Sequence, residues 1–282
     1  MLGSKMKHKK LRRNILLYFF LALFSLTTLF PLLWMITTSL KSGDIIFEMP
    51  PRLWPDGLHW ENYTRAIEEI NFLVLFKNTA IITFLQLLSN VFVSAFVAYG
   101  FARFDFRWKN FWFMLMLSTI MIPGEVTLIP VFIAFSELGW SNSIKPLVIP
   151  GFFGGAPVFI FLLRQFFLSI PKELEESAVV DGAGSFKIFY KIFIPLSVPA
   201  LITIGIFSFQ GSWNDLMGPL IYLNDTDKFT LTLGLSMFKG MMKVEWGPLM
   251  AGSILALLPV LAVFFVAQKH FVEGVKLSGI KG

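Results

Sequence analysis

The sequence predicts an all-α, polytopic membrane helix bundle of about six transmembrane helices, and three observations carry that prediction. Hydrophobic residues make up 55% of the 282-residue chain and charged residues only 15%, against roughly 25% charged in a soluble domain. The apolar residues gather into runs of around twenty, the length at which a helix rising about 1.5 Å per residue crosses about 30 Å of hydrocarbon. Lys and Arg gather beside these runs, where positive charge sets topology. A helix satisfies its own backbone N–H and C=O groups, so each run can stand in lipid without water.

The elements follow in order. Residues 1–14 form a basic head carrying Lys5, Lys7, Lys9, Lys10, Arg12 and Arg13 and no acid. The run 15–36 is the first span; it is too long for a signal-peptide core and no A-x-A-like cleavage site follows it. A polar stretch, 41–77, contains the turn-rich Pro50, Pro51, Pro55 and Gly57 and then, over 61–75, the pattern of a short amphipathic helix. Five further spans are expected near 79–102, 111–135, 144–167, 196–221 and 249–267. Pro123 and Pro130 are expected to kink or break the third. Gly151 and Gly155, four residues apart, permit close helix approach in the fourth. A second polar stretch covers 224–246. Residues 15–268 thus read as one transmembrane domain embedded in the lipid bilayer, between the basic head and a tail, 269–282.

Charge sets the expected orientation. With the N-terminus inside, the inner segments 1–14, 103–110, 164–195 and 268–282 hold 16 of the 24 Lys and Arg but 6 of the 18 Asp and Glu. That enrichment predicts an N-in, C-in chain with an even number of spans.

The same composition excludes other classes. With no Cys, disulfides and thiolate metal sites are out. His8, His59 and His270 lie far apart and outside the spans, so no metal site is expected. Nor does any basic stripe with interleaved aromatics suggest nucleic acid. A G-x-x-x-x-G-K-[ST] phosphate loop is lacking, and Gly182-x-Gly184 has no strand-to-helix context, so no ATP site of that type is expected here. The spans hold no paired acids, His cluster or Ser/Lys dyad for catalysis, and few of the mid-span ionisable groups a secondary transporter would use.

The inner segment 170–195 is the most informative. Pro171 suits the first turn of a helix, and Glu173, Glu175 and Glu176 follow where the helix dipole favours acids. Leu174, Ala178 and Val179 are expected on one apolar face with the acids opposite. Gly182 stands where a helix ends through a left-handed residue. Ser185 is placed to cap a second helix bearing Phe186, Phe189, Tyr190 and Phe193. Two short helices joined at a glycine bend are therefore expected.

This segment resembles the EAA loop of ABC importer permeases, whose pattern is Glu-Ala-Ala, three residues, Gly, nine residues, then Ile-x-Leu-Pro. Glu176-Ser177-Ala178, Gly182 and Ile192-Phe193-Ile194-Pro195 keep the spacing, with Ser177 for the first Ala and Ile194 for Leu. The stretches Ala98-Tyr99-Gly100-Phe101-Ala102-Arg103-Phe104, Met121 through Pro130, Trp213-Asn214-Asp215 and the tail from Gln268 are similar to the carbohydrate-uptake branch, in particular its smaller maltose-type subunit.

The resemblance implies a bacterial plasma-membrane subunit paired with a second homologous permease. Two cytoplasmic ATPase subunits would bind the ATP and Mg, and an extracytoplasmic solute-binding protein would supply the substrate, a sugar or alternatively a solute such as glycerol-phosphate. It also implies that Glu176, Ser177, Ala178, Asp181, Gly182, Ile192 and Pro195 form the ATPase-coupling loop. Glu125, Asn214 and Asp215 are candidates for a polar substrate pathway. The alternative reading makes Glu125 and Asp215 hydrated or backbone-bonded groups near the outer ends of their helices and Asn214 a partner in an interhelical hydrogen bond.

Overall fold

The computed structural model describes the backbone of residues 2–240 and 244–279, and the side chains of 13–240 and 244–268. The side chains of most of the basic head and of the tail from Lys269, His8 and His270 included, lie outside those described. The helices run α1 (Leu2–Ser39), α2 (Glu61–Glu68), α3 (Phe72–Leu88), α4 (Ser94–Arg103), α5 (Lys109–Ser118), α6 (Gly124–Glu137), α7 (Lys145–Gly154) and α8 (Pro157–Ser169). They continue with α9 (Glu173–Val180), α10 (Ser185–Ile188), α11 (Ile194–Leu196), α12 (Val198–Trp213), α13 (Met217–Tyr222), α14 (Leu231–Ser236) and α15 (Trp246–Gly279). The β pairing among the described residues is one isolated antiparallel bridge, Lys239 to Val244.

Four stretches are long and apolar enough to cross a membrane: Arg13–Ser39, Phe72–Arg103, Lys145–Ser169 and Trp246–Gln268. Two bent pairs bring the number to six. Lys109–Met121 meets Gly124–Glu137 at 100°, and Ser185–Leu196 meets Val198–Trp213 at 78°. The first bend falls at Ile122–Pro123, where the residue before proline is extended (ψ 114°). Pro130 lies inside α6 instead.

The chain divides into two units. The first comprises residues 1–69 and 235–255. In it a buried Asn62 donates to the Ser39 carbonyl at 2.9 Å and the Lys41 carbonyl at 3.0 Å, tying α2 to the end of α1. Arg65 bridges Glu69, at 2.6 Å, and Glu245. The amphipathic helix expected over 61–75 is shorter: α2 ends at Glu68, and Asn71, in a left-handed conformation (φ 51°), precedes α3.

The second unit comprises 70–234 and 256–282. Here α3 passes through a π-helical turn, Ser89–Val93, into α4. Ala95, Ala98 and Ala102 present small side chains from α4, so Ile160, Leu163 and Phe167 of α8 approach closely and are fully buried. Tyr99 stands at the centre, its ring 4.9 Å from Phe193 and 5.0 Å from Phe189. The helix α7 lies against the π turn: a Cβ at Gly151 would stand 2.5 Å from the Ser89 hydroxyl oxygen. A polar seam links α3 and the π turn to α12. Gln86 donates to the Leu147 carbonyl at 2.7 Å and accepts from Ser212, while Asn90 donates to Ser208 at 3.0 Å. In lipid such bonds replace those that water would make.

Candidate functional site

The segment between α8 and α12 forms an exposed helical hook. Its first arm, α9, begins at Glu173 behind Lys172, whose carbonyl accepts the amides of Glu175 and Glu176 at 2.9 Å each. Pro171 stands ahead of that cap rather than in the first turn, and holds Ile170 extended (ψ 128°). Three glutamates occupy the first turn, where unpaired amides and the dipole favour negative charge.

The arm ends in a Schellman closure. The Gly182 amide donates to the Val179 carbonyl at 3.0 Å and the Ala183 amide to the Ala178 carbonyl at 2.9 Å. This pairing requires a left-handed residue at Gly182, whose φ is +76°. The closure turns the chain into α10 and a π-helical turn, Phe189–Phe193. Gly184, extended, precedes α10, and Ser185 is the first helical residue. The expected Ser185 cap is therefore absent: inside the helix its hydroxyl cannot reach back to the first-turn amides, and its carbonyl instead accepts from the Tyr99 hydroxyl at 3.3 Å.

The two faces of α9 differ from the expected division. Glu175 and Ala178, three residues apart, turn inward together. Ala178 and Ala183 pack against the cluster built around Tyr99 and Phe193, and Glu175 meets Arg103 at 3.6 Å. Arg103, its side chain only 4% exposed, explains the inversion. It donates from the end of α4 to the carbonyls of Phe167 at 2.7 Å and Ile170 at 2.6 Å, and lies 4.7 Å over the Phe193 ring. A buried guanidinium draws the nearest carboxylate to its own side of the helix. Neither residue was among the expected loop residues. Arg103, a cation at the end of a span, is the available signal.

Outward, α9 and α10 present Glu176, Ser177 and Asp181 among exposed apolar groups, with Val179 58%, Val180 87% and Phe186 72% exposed. Such a mixed acidic and apolar surface is the composition of an interface core with its rim. Ile192 is half-buried against the same cluster as Ala178, and Pro195 stands exposed in α11. The structure thus gathers the seven expected loop residues onto one hook, with Ala178 and Ile192 as its root and Glu176, Ser177 and Asp181 at its surface.

The three pathway candidates lie on different elements. Glu125 is exposed in the first turn of α6, immediately after the 100° break. Asn214 ends α12, its side-chain amide on the Gln210 carbonyl at 2.9 Å. Asp215 accepts the Gly218 amide at 3.1 Å and so organises the start of α13. No hydrogen bond or ion pair joins Glu125 to the other two among the described residues. Backbone bonds account for one side-chain atom each of Asn214 and Asp215.

The polar stretch after α13 is pinned at its start. Asn142 accepts the amides of Asn224 and Asp225 at 3.1 Å and donates to the Asp225 carboxylate at 2.6 Å. Lys228, at 2.8 Å, together with Asn142, holds that carboxyl below its usual range.

Residues 90–277 match the family described as binding-protein-dependent transport system inner membrane component. The probable ABC transporter permease protein YurM of Bacillus subtilis is 38% identical over 263 residues, which cover 93% of this chain and 87% of that protein. The trehalose/maltose transport system permease protein MalG of Thermococcus litoralis is 30% identical, over 98% of this chain and 100% of that one. The fold matches a chain from the crystal structure of a bacterial ABC transporter involved in the import of the acidic polysaccharide alginate, with a TM-score of 0.81 at 24% identity, over 92% of this chain and 96% of that chain. The match spans α4 through most of α15 and so contains the whole hook, and on these grounds the chain belongs to the family of binding-protein-dependent transport system inner membrane components, as a multi-pass transport permease.

Proposed function

We propose that this chain is the smaller of two homologous permease subunits in an importer that carries a di- or oligosaccharide into the cytoplasm. The observation that carries the reading is the hook: an exposed acidic and apolar helix, fixed at its root by Arg103 and at its end by Gly182. A docking element must be rigid to convert a partner's movement into helix movement. Two cytoplasmic ATPase subunits bind the ATP and Mg and drive the cycle, and Glu176, Ser177, Asp181 and Gly182 form the docking turn. An extracytoplasmic binding protein delivers the substrate. The N-terminus and C-terminus both face the cytoplasm, in accord with the distribution of Lys and Arg. Glu125, Asn214 and Asp215 line the outer end of the pathway.

The saccharide assignment draws support from the named substrates of the relative and of the structural neighbour, trehalose and maltose for one and alginate for the other. The test is reconstitution of the assembled transporter in liposomes with labelled saccharides and glycerol-phosphate supplied through the binding protein. ATP-dependent uptake of a saccharide is expected. Uptake of glycerol-phosphate alone would move the assignment to the alternative, and uptake without any ATPase subunit would overturn the mechanism.

A further inference from the structure

We propose that a cavity of about 520 Å³ at the ends of α4, α5 and α8 binds the phosphate-bearing headgroup of an anionic phospholipid. Its wall includes Asp105, Trp108, Lys109, Phe111 and Arg164. Arg103 binds carbonyls at the end of α8, so the ends of α4 and α8 lie at one level, and α5 opens beside them through the short loop 104–108. This is the level at which two spans leave the hydrocarbon.

Arg164 lies five residues before the end of α8, about 7 Å inside it at the helical rise. A cation at that depth is costly unless an anion or dipoles satisfy it. Its Nε donates to the Phe101 carbonyl at 3.1 Å and its guanidinium lies 4.2 Å over the Phe113 ring. The terminal nitrogens have no acceptor among the described residues. Lys109 is similarly underused: its side chain is 19% exposed and among the described residues pairs only with Asp105, at 3.4 Å, whose carboxylate is fully in solvent. Arg107 stands exposed above Trp108 at 5.9 Å. Two cations, Lys109 and Arg164, therefore line the concavity with one solvated carboxylate, Asp105.

The rim identifies the source of the anion. Trp108, Phe111 and Trp112 are 62%, 54% and 51% exposed, and below them Met114 and Leu115 continue an exposed apolar surface along α5. Tryptophan at the end of a span marks the headgroup level, and basic pockets between spans at that level suit lipid phosphates. The guanidinium fork matches a phosphodiester geometrically. A phospholipid would place its phosphate against Arg164 and Lys109 and its acyl chains along α5. Free inorganic phosphate shares the first contact and lacks the second. The site does not depend on the importer reading.

The experiment uses the full-length chain in its assembled complex, in nanodiscs of phosphatidylcholine with or without phosphatidylglycerol, with retained lipid read by native mass spectrometry. Preferential retention of phosphatidylglycerol is expected. Lys109→Gln and Arg164→Gln should each reduce it roughly fivefold, the effect of one cation near a charged headgroup. Lys77→Gln, an exposed cation toward the other end of the α3–α4 span, should leave it unchanged. Because Arg164 also holds the Phe101 carbonyl, Lys109→Gln keeps the test independent of folding. Equal retention of both lipids, or retention unaffected by Lys109→Gln, would overturn the proposal. Displacement of the lipid by low inorganic phosphate would overturn it in favour of a free-anion site. Normal retention with loss of ATPase co-purification would overturn it in favour of a protein contact.

Discussion

Arg103 and Glu175 face each other at 3.6 Å across the root of the hook, Arg103 from the end of a span and Glu175 from the first turn of α9. One buried guanidinium thereby serves three elements: it closes the carbonyls that end α8, lies over Phe193 in the π turn, and holds the exposed helix by its acid.

The Arg103 to Glu175 arrangement predicts unequal losses. Arg103→Ala leaves the Ile170 carbonyl without its donor, the Phe167 carbonyl with only the Ile170 amide at 3.2 Å and a carboxylate without its cation, and should destabilise the second unit by about 3 kcal/mol. Glu175→Gln removes only a long, partly solvated ion pair, worth less than about 1 kcal/mol. Thermal unfolding of the purified chain in detergent should show the larger drop for Arg103→Ala. In the assembled complex, Glu175→Gln should retain uptake while weakening coupling. Equal stability of both variants would count against the central role of Arg103.

At Gly182 the prediction rests on backbone conformation alone. A Cβ there meets nothing within 4 Å, but φ is +76°, so a substitution incurs conformational strain of about 1–2 kcal/mol and no clash. Gly182→Ala should misdirect the hook and reduce ATP-coupled uptake, and Gly182→Val should do so more severely. Gly182→Asn, which tolerates the left-handed region, should fall between wild type and Ala. Gly184→Ala has open space and an ordinary extended backbone and serves as the control. The readouts are uptake, ATPase rate and subunit co-purification at matched expression.

Close packing of α7 predicts a different kind of failure. At Gly151 a Cβ would stand 2.5 Å from the Ser89 hydroxyl, and at Gly155, where φ is +65°, 3.2 Å from the Ser94 amide nitrogen. Gly151→Ala should cost about 1–3 kcal/mol by overpacking. Gly155→Ala should cost more, because the neighbour is backbone and the conformation is strained as well. Gly154→Ala, with nothing within 4 Å, should be nearly neutral. Thermal stability of the three variants in one detergent ranks them, and a neutral Gly155→Ala would contradict the packing described.

Orientation is accessible to labelling because the native chain has no Cys. Single cysteines at Ser185 in the hook and at Gly57 in the loop after α1 should respond oppositely to an impermeant thiol reagent added outside intact cells. Gly57→Cys should react and Ser185→Cys should not; the reverse pattern would refute the N-in arrangement.

The sequence by itself determined the all-helical membrane character, because lipid leaves the backbone no other way to satisfy its polar groups and a run of about twenty apolar residues declares each span. It also determined the bend at Gly182 and the break near Pro123, since both depend on a residue's own torsional limits. Tertiary structure decided what neighbours decide. Whether Glu175 faced solvent or core was undetermined until Arg103, some seventy residues earlier, was packed beneath it. The amphipathic stretch ended at Glu68, before a left-handed Asn71 that its composition did not demand. The cations Lys109 and Arg164 likewise came together only once their helices were in contact. Local torsions and hydrophobic length are written in consecutive residues, whereas the pairing of charges across helices is a property of packing.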